Sequence, residues 1–481
     1  MIGYTKHFNA IVVGVGGMGS ATCYQLARRG QRVLGLERFD IPHDMGSSHG
    51  YTRIIRLAYY EHPSYVMLIK RAYELWDEIE RRSGKKLLYK TGSIDAGPAD
   101  SWVFKGSLRS CVEHGLPHEV LTGAELSERF PGYRLPFDML AVLQPDGGFL
   151  LPERATVAFV NGAVELGAQI HGREQVLAWE PLREGVRVSS DRAEYTADRL
   201  VITAGSWDSS LLPFLHRLAV PERQVLAWLQ PEKPEFFTPD RFPVFNVLVK
   251  EGRYYGFPVY GVPGFKFGKY HHFEEQGPPE YLSRQVTRED EEMLREFAAR
   301  YFPDGAGPTM TLKACMFTNS PDKHFIIDLH PEYPQVSFAA GFSGHGYKFA
   351  SVIGEIMADL VERGESRHDL RLFSLQRLTG QVSALHAGDF QDRRMAAASI
   401  GPSRLAPGPM RVGLHRSLPR QLVGRQELAT PTRRGDRVHA WAAPRQGIHP
   451  GERPYSGQRG YAEDTTDPLY WERDSVEPFW S

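Results

Sequence analysis

Cysteine is nearly missing from this chain: Cys23, Cys111 and Cys315 are the only three in 481 residues. So few thiols, so far apart, exclude a disulfide framework and a cysteine-rich zinc site, and they fit a reducing, intracellular compartment. An excess of one charge is missing too. The 57 Lys and Arg against 58 Asp and Glu leave a formal net charge of -1, so nothing global draws the chain to nucleic acid or to an anionic membrane. Long apolar runs are also absent. The first, Ala10 to Val15, is short and ends in glycines, too little for a signal peptide or for the roughly 18 apolar residues of a membrane span. The expectation is a cytoplasmic globular protein, long enough for two or three domains, with no metal, membrane or nucleic-acid partner. Past about Leu378 lysine vanishes altogether, Pro, Gly and Arg abound, and no period is sustained. Residues 379–481 therefore read as a disordered tail. Its end, Glu477-Pro-Phe-Trp-Ser481, is not a peroxisomal signal of the Ser-Lys-Leu type.

What is present begins at Ala10. A buried strand runs into Gly14-Val-Gly16-Gly17-Met-Gly19, then a helix closes at Gly30, and a second strand, Val33 to Leu36, ends on Glu37. Strand, turn, helix, strand and acid in that order are the context that makes this glycine pattern a dinucleotide site. Gly14 allows the tight turn, Gly16 and Gly17 leave room for a pyrophosphate, and Gly19 lets helix and strand pack closely. Glu37 sits where a carboxylate accepts hydrogen bonds from ribose hydroxyls, which disfavours NADP and leaves FAD and NAD. The chain then returns twice to a strand followed by small residues, at Arg199 to Trp207 and at Gln335 to Lys348. The second return opens into an amphipathic helix, Ala350 to Arg363. Its glycines, Gly344 and Gly346, would bring helix N–H groups to the pyrimidine edge of a flavin. The fold class is α/β, with a Rossmann-like FAD-binding domain.

Six ordered motifs carry a more specific resemblance: GVGGMGS, GSSHGYTRIIRLAY from Gly46, YYGFP from Tyr254, KFGKYHH from Lys266, KACMFTNSPDKHFIIDLHP from Lys313 and GFSGHGYKFA from Gly341. Over roughly residues 8 to 378 the chain resembles the monomeric sarcosine oxidase and N-methyltryptophan oxidase family. The resemblance implies a D-amino-acid-oxidase-like flavoprotein of two domains. Residues 1–85, 150–215 and 318–378 would bind FAD, and 86–149 and 216–317 would form a mainly antiparallel substrate domain. It implies a monomer that oxidises a small N-substituted amino acid, sarcosine or N-methyl-L-tryptophan foremost, by hydride transfer to FAD and reduction of O2 to hydrogen peroxide.

The same resemblance assigns residues. Cys315 would carry FAD through a thioether, His49 and Arg53 would lie near the flavin, and Lys266 would activate oxygen. Arg56 and Lys348 would grip the substrate carboxylate, Tyr255 would line the cavity, and His345 and His271 would stand near the amine or the ring. His271 is favoured over His272 although one extra residue separates it from Lys266. Without the family context the readings are plainer. Lys266 would be a solvated strand lysine. Arg53 and Arg56 would be an exposed pair if their segment were helical. Cys315, in a stretch of turn-forming residues, would be an inert buried thiol. Two alternatives stay open: a flavin-dependent dehydrogenase with another electron acceptor, and a dinucleotide-binding protein without turnover.

Overall fold

The computed structural model describes residues 6–378; the tail expected at 379–481 lies outside the described residues. Lys6–Val13 lies inside an eight-stranded sheet because its second half, Ala10 to Val13, is continuously apolar and buried, as interior parallel strands are. Val33–Leu36 and Glu194–Ile202 pair with it in parallel. Glu194–Ile202 is shared: its first half pairs with Val186–Ser190, its second with Val336–Ala340. Helices Gly17–Arg28, Pro152–Glu165 and Ala350–Arg363 cover one face. The last two cross the first closely. A Cβ on Gly354 would lie 2.6 Å from the backbone of Ala21, so only glycine lets these helices meet.

The second eight-stranded sheet is antiparallel except where Val244–Val249 runs parallel to Ser93–Pro98. Alternation divides the duties of its strands. Tyr254 on Gly252–Phe257, and Phe265 and Phe267 on Phe265–Lys269, point into an aromatic core closed by helix Arg288–Tyr301. Arg253, Tyr255 and Phe257, and with them Lys266 and Tyr270, take the other face, because side chains two apart share a side. That second face looks toward the first sheet.

Two local expectations change. Arg53–Ile55 is a strand, paired with Gly148–Leu150 in a small third sheet that also includes Leu88–Lys90. Two β-branched isoleucines favour this over a helix. Arg53 and Arg56, three apart on extended chain, consequently point to opposite sides. Cys315 is not in a turn either: it lies inside the eleven-residue strand Thr309–Asn319, hydrogen-bonded along Val220–Leu229, and the turn begins only at Ser320. No helix among the described residues is long and apolar enough to cross a membrane.

Candidate active site

A long cleft runs from the glycine turn to the second sheet, lined at one end by Gly14, Gly16 and Glu37 and at the other by Tyr255, Cys315 and Lys348. At one end Gly14, with φ 84°, turns so tightly that a Cβ would stand 2.5 Å from the Thr203 carbonyl oxygen. A Cβ on Gly19 would stand 1.8 Å from the Gly14 oxygen; Gly19 serves helix-on-strand packing and is not part of the cleft wall. A Cβ on Gly16 would meet nothing nearer than Ser48 Oγ at 3.8 Å, so it would project into the cleft. That opening is the cradle a pyrophosphate needs. Gly17 N donates to Ser48 Oγ at 3.2 Å.

Glu37 is buried at the end of its strand. Its Oε2 accepts from Val15 N at 2.8 Å and its Oε1 from Phe39 N at 2.9 Å. A carboxylate offers about four acceptor sites, so lone pairs remain for ribose hydroxyls. Gly344 and Gly346 also line the cleft, packed so closely on Phe317 and Phe342 that a Cβ at Gly344 would stand 2.5 Å from the Phe317 ring and one at Gly346 2.6 Å from the Phe342 ring.

Toward the second sheet the cleft is walled by Arg53, Cys315, Tyr255 and Phe257. Arg53 Nη2 donates to the Ser47 carbonyl at 2.7 Å and stands 3.6 Å from Cys315 Sγ; its Nη1 donates to the Thr52 carbonyl at 2.9 Å. A fixed guanidinium therefore lies against the one thiol that reaches the cleft. Burial pushes the thiols of Cys23 and Cys111 up to about 12, which leaves them unreactive. His49 is buried with both ring nitrogens unpartnered, and burial holds it neutral.

Lys266 does not reach the cleft wall. Its Nζ lies 4.2 Å from the centre of the Phe257 ring, behind it, and donates to the Gly50 and Thr52 carbonyls, each at 2.7 Å, and to Thr52 Oγ1 at 2.9 Å. Burial, then the neighbouring charge of Arg53, pushes its pKa well down. Glu153, which the sequence did not single out, pins the loop that supplies those carbonyls: its Oε1 accepts from Gly50 N at 2.5 Å and from Tyr51 N at 3.1 Å.

At the far end, Lys348 is buried in the cleft wall and makes one hydrogen bond, to the His345 carbonyl at 2.8 Å. Burial and the charge of Arg56 hold its ammonium down to about 7. His345 lines the cleft with both nitrogens engaged. Its Nδ1 lies 2.6 Å from Tyr59 Oη and its Nε2 2.9 Å from the Lys323 carbonyl, and burial lowers its pKa to about 3, so it is neutral.

Arg56 is fully buried and already engaged. It donates to Glu61 Oε2 at 2.7 Å and to the Ala58 carbonyl, with Asp95 Oδ1 at 3.8 Å from Nε. Against burial, the Arg56 charge holds the Glu61 carboxyl down to about 2. Glu61 and Asp95 carry no motif, and only the fold gathers them around Arg56.

His271 is not brought to the cleft, a correction to its expected place. It has φ 55°, where the chain leaves the strand, and its Nδ1 pairs with Glu222 at 2.9 Å. His272 turns to Asp290, with Nε2 at 2.7 Å. Tyr270 lines the cleft instead. It is four residues after Lys266 and so on the same face, a parity that the sequence alone could have revealed. Among the described residues no group of three His, Cys, Asp or Glu side chains could hold a metal ion.

Residues 9–360 match the family described as FAD dependent oxidoreductase, DAO. The chain is 40% identical over 377 residues to a monomeric sarcosine oxidase of Streptomyces avermitilis, covering 77% of this chain and 98% of that one. To an N-methyl-L-tryptophan oxidase of Yersinia pestis it is 35% identical over 372 residues, covering 77% and 99%. A solved open form of NikD, an unusual amino acid oxidase essential for nikkomycin biosynthesis, matches with a TM-score of 0.68 at 26% identity, over 77% of this chain and 98% of that one. Every stretch of chain that walls the cleft falls inside the matched span, and the chain belongs to the DAO family of FAD dependent oxidoreductases.

Proposed function

We propose that the chain oxidises a secondary amino acid, N-methyl or cyclic, to its imine, that the electrons pass to O2 to give hydrogen peroxide, and that FAD is held through a thioether to Cys315. Gly14, Gly16, Gly17, Glu37, Gly344 and Gly346 would hold the cofactor's phosphates, ribose and ring edge, with Arg53 and Cys315 at its ring. Bound FAD supplies the acceptor for the hydride of the amine's carbon. On this reading the first sheet, from residues 1–85, 150–215 and 318–378, serves the cofactor, and residues 86–149 and 216–317 serve the substrate.

The observation that carries the reading is Lys348: a buried ammonium with one acceptor, in the same cleft as a cysteine that has a guanidinium against its sulfur. Its unspent N–H groups suit a substrate carboxylate. Arg56 can add its fork only where Glu61 yields, since that carboxylate now occupies it. Tyr255 and Tyr270 wall the cavity, while neutral His345 holds Tyr59 and carries no charge that would compete for the carboxylate.

The test is a panel of sarcosine, N-methyl-L-tryptophan and L-pipecolate. At least one should bleach the flavin under nitrogen and yield peroxide in air; no bleaching by any secondary amino acid overturns the proposal. Bleaching without peroxide favours a dehydrogenase with another acceptor, a second reading supported by the depressed pKa of Lys266 and its position behind Phe257.

A pH dependence follows from Lys348. Protonated below about 7, it loses its charge as pH rises, so a carboxylate without a titratable amine, such as acetate, should bind best below that value. Its Kd, read from the flavin spectrum, should rise by up to roughly tenfold per pH unit above it. A flat profile between pH 6 and about 9 would remove Lys348 from the carboxylate site.

A further inference from the structure

Arg253 begins the cleft-facing row of its strand: Arg253, Tyr255 and Phe257 share one side, and Tyr255 and Phe257 line the cleft. Its guanidinium lies 3.5 Å from the centre of the Tyr270 ring, itself a cleft residue, with the rings of Trp102 at 4.9 Å and Tyr60 at 5.6 Å. Its donors are mostly unspent. Of five N–H groups, one reaches Tyr60 Oη, at 3.4 Å, and the nearest carboxylate oxygen, Glu61 Oε1, is 3.9 Å away. Glu61 is shared unequally: Oε2 takes a 2.7 Å bond from Arg56, while Oε1 makes no hydrogen bond and only faces Arg253.

Lys323 stands nearby. Its backbone, at φ 63°, places its carbonyl on His345, and its ammonium has no acceptor or ion-pair partner among the described residues. Burial and the charge of Arg253 lower its pKa, while Glu222 and Glu274 oppose this from beyond ion-pair distance. Glu222 is moreover taken by His271, Gln276 and Asn319. Arg56 is thus matched by Glu61, and Lys348 is left for the α-carboxylate. Arg253, which has only the loose 3.9 Å approach of Glu61 Oε1, and the exposed Lys323 remain as two cations with most of their donors unspent, beside the cleft residues Tyr270 and His345.

We propose that Arg253 and Lys323 form a second anion subsite, so that the preferred substrate is a secondary amino acid with a further acidic group beyond its α-carboxylate. The planar fork of Arg253, stacked on Tyr270, is preorganised for a bidentate carboxylate, and Lys323 adds a point charge at the mouth. This deepens the amine-oxidase reading and rests on it for the word substrate; the anion subsite itself does not.

The experiment separates the two. With the holoenzyme, kcat/KM for N-methyl-L-glutamate should exceed that for its neutral isostere N-methyl-L-glutamine by about tenfold or more, and Arg253→Met should erase most of that ratio, with Arg253→Lys restoring part. Independently of turnover, glutarate should perturb the flavin spectrum at about tenfold lower concentration than butyrate, a preference lost in Arg253→Met and reduced in Lys323→Met. Equal binding of glutarate and butyrate, or ratios that Arg253→Met leaves unmoved, overturns the subsite. Glutarate preference without oxidation of any secondary amine upholds the subsite and overturns only the amine-oxidase reading.

Discussion

Lys266→Met is expected to leave anaerobic bleaching of the flavin by substrate nearly intact while slowing its recovery in air about thirtyfold. As dioxygen accepts electrons it acquires negative charge in a cleft with little water, and a fixed ammonium lowers the barrier to that step. With the Phe257 ring between them, a unit charge roughly 8 Å from the oxygen contributes about 2 kcal/mol at the effective dielectric of a partly buried site, which is about one and a half decades in rate. Three oxygens of the Gly50–Thr52 loop hold the Lys266 Nζ in place at 2.7–2.9 Å and offset part of the cost of its burial. Arg53 shares one of those acceptors, the Thr52 carbonyl, and works against the charge. The sign with pH follows. A lowered pKa means the ammonium is fully present at low pH and lost as pH rises through it, so reoxidation should slow with rising pH. The variant also removes three hydrogen bonds from the buried Gly50–Thr52 loop, although the Gly50 carbonyl keeps Thr52 N and the Thr52 carbonyl keeps Arg53 Nη1 as donors, so a modestly lower Tm is expected and must be separated from the rate effect by stopped-flow on folded protein. Unaltered reoxidation would show that oxygen is activated elsewhere.

The second large effect is covalent. Acid-precipitated protein should keep its yellow colour in the pellet, and Cys315→Ala should move that colour completely to the supernatant. Cys315 is suited to the bond by three facts that act together. It lies on the cleft face of a long strand, in the cleft wall, with a guanidinium nitrogen 3.6 Å from its sulfur. Because the strand is held by its backbone ladder to Val220–Leu229, alanine removes the sulfur without disturbing the chain path. Free FAD in the supernatant of the unaltered protein would exclude the linkage.

These expectations rest unequally on sequence. The dinucleotide turn was legible because its requirements are local: Gly14 must take a positive φ, Gly19 must let a helix touch a strand, and both demands fall within a few residues. Helix Ala350–Arg363 was legible to its ends for the same reason, with Gly364 closing it at φ 73°. Tyr270 and Arg253 were within reach, since alternation puts them on the faces of Lys266 and Tyr255. His271 was misplaced because the motif was counted by spacing and not by parity, and the chain leaves the strand at that residue.

The sequence by itself determined the family, the cofactor turn and the identity of the chemical groups, because each depends on contacts between near neighbours or on motifs kept in order. Only the tertiary structure decided where those groups point. Arg56 meets Glu61 and Asp95, Lys266 meets the Gly50–Thr52 carbonyls, and Arg253 meets Tyr270 with Glu61 no nearer than 3.9 Å. Apart from Arg56 with Glu61, five residues on, these partnerships join segments distant along the chain, and the packing of one sheet face against a helix and the other against a cleft selects them.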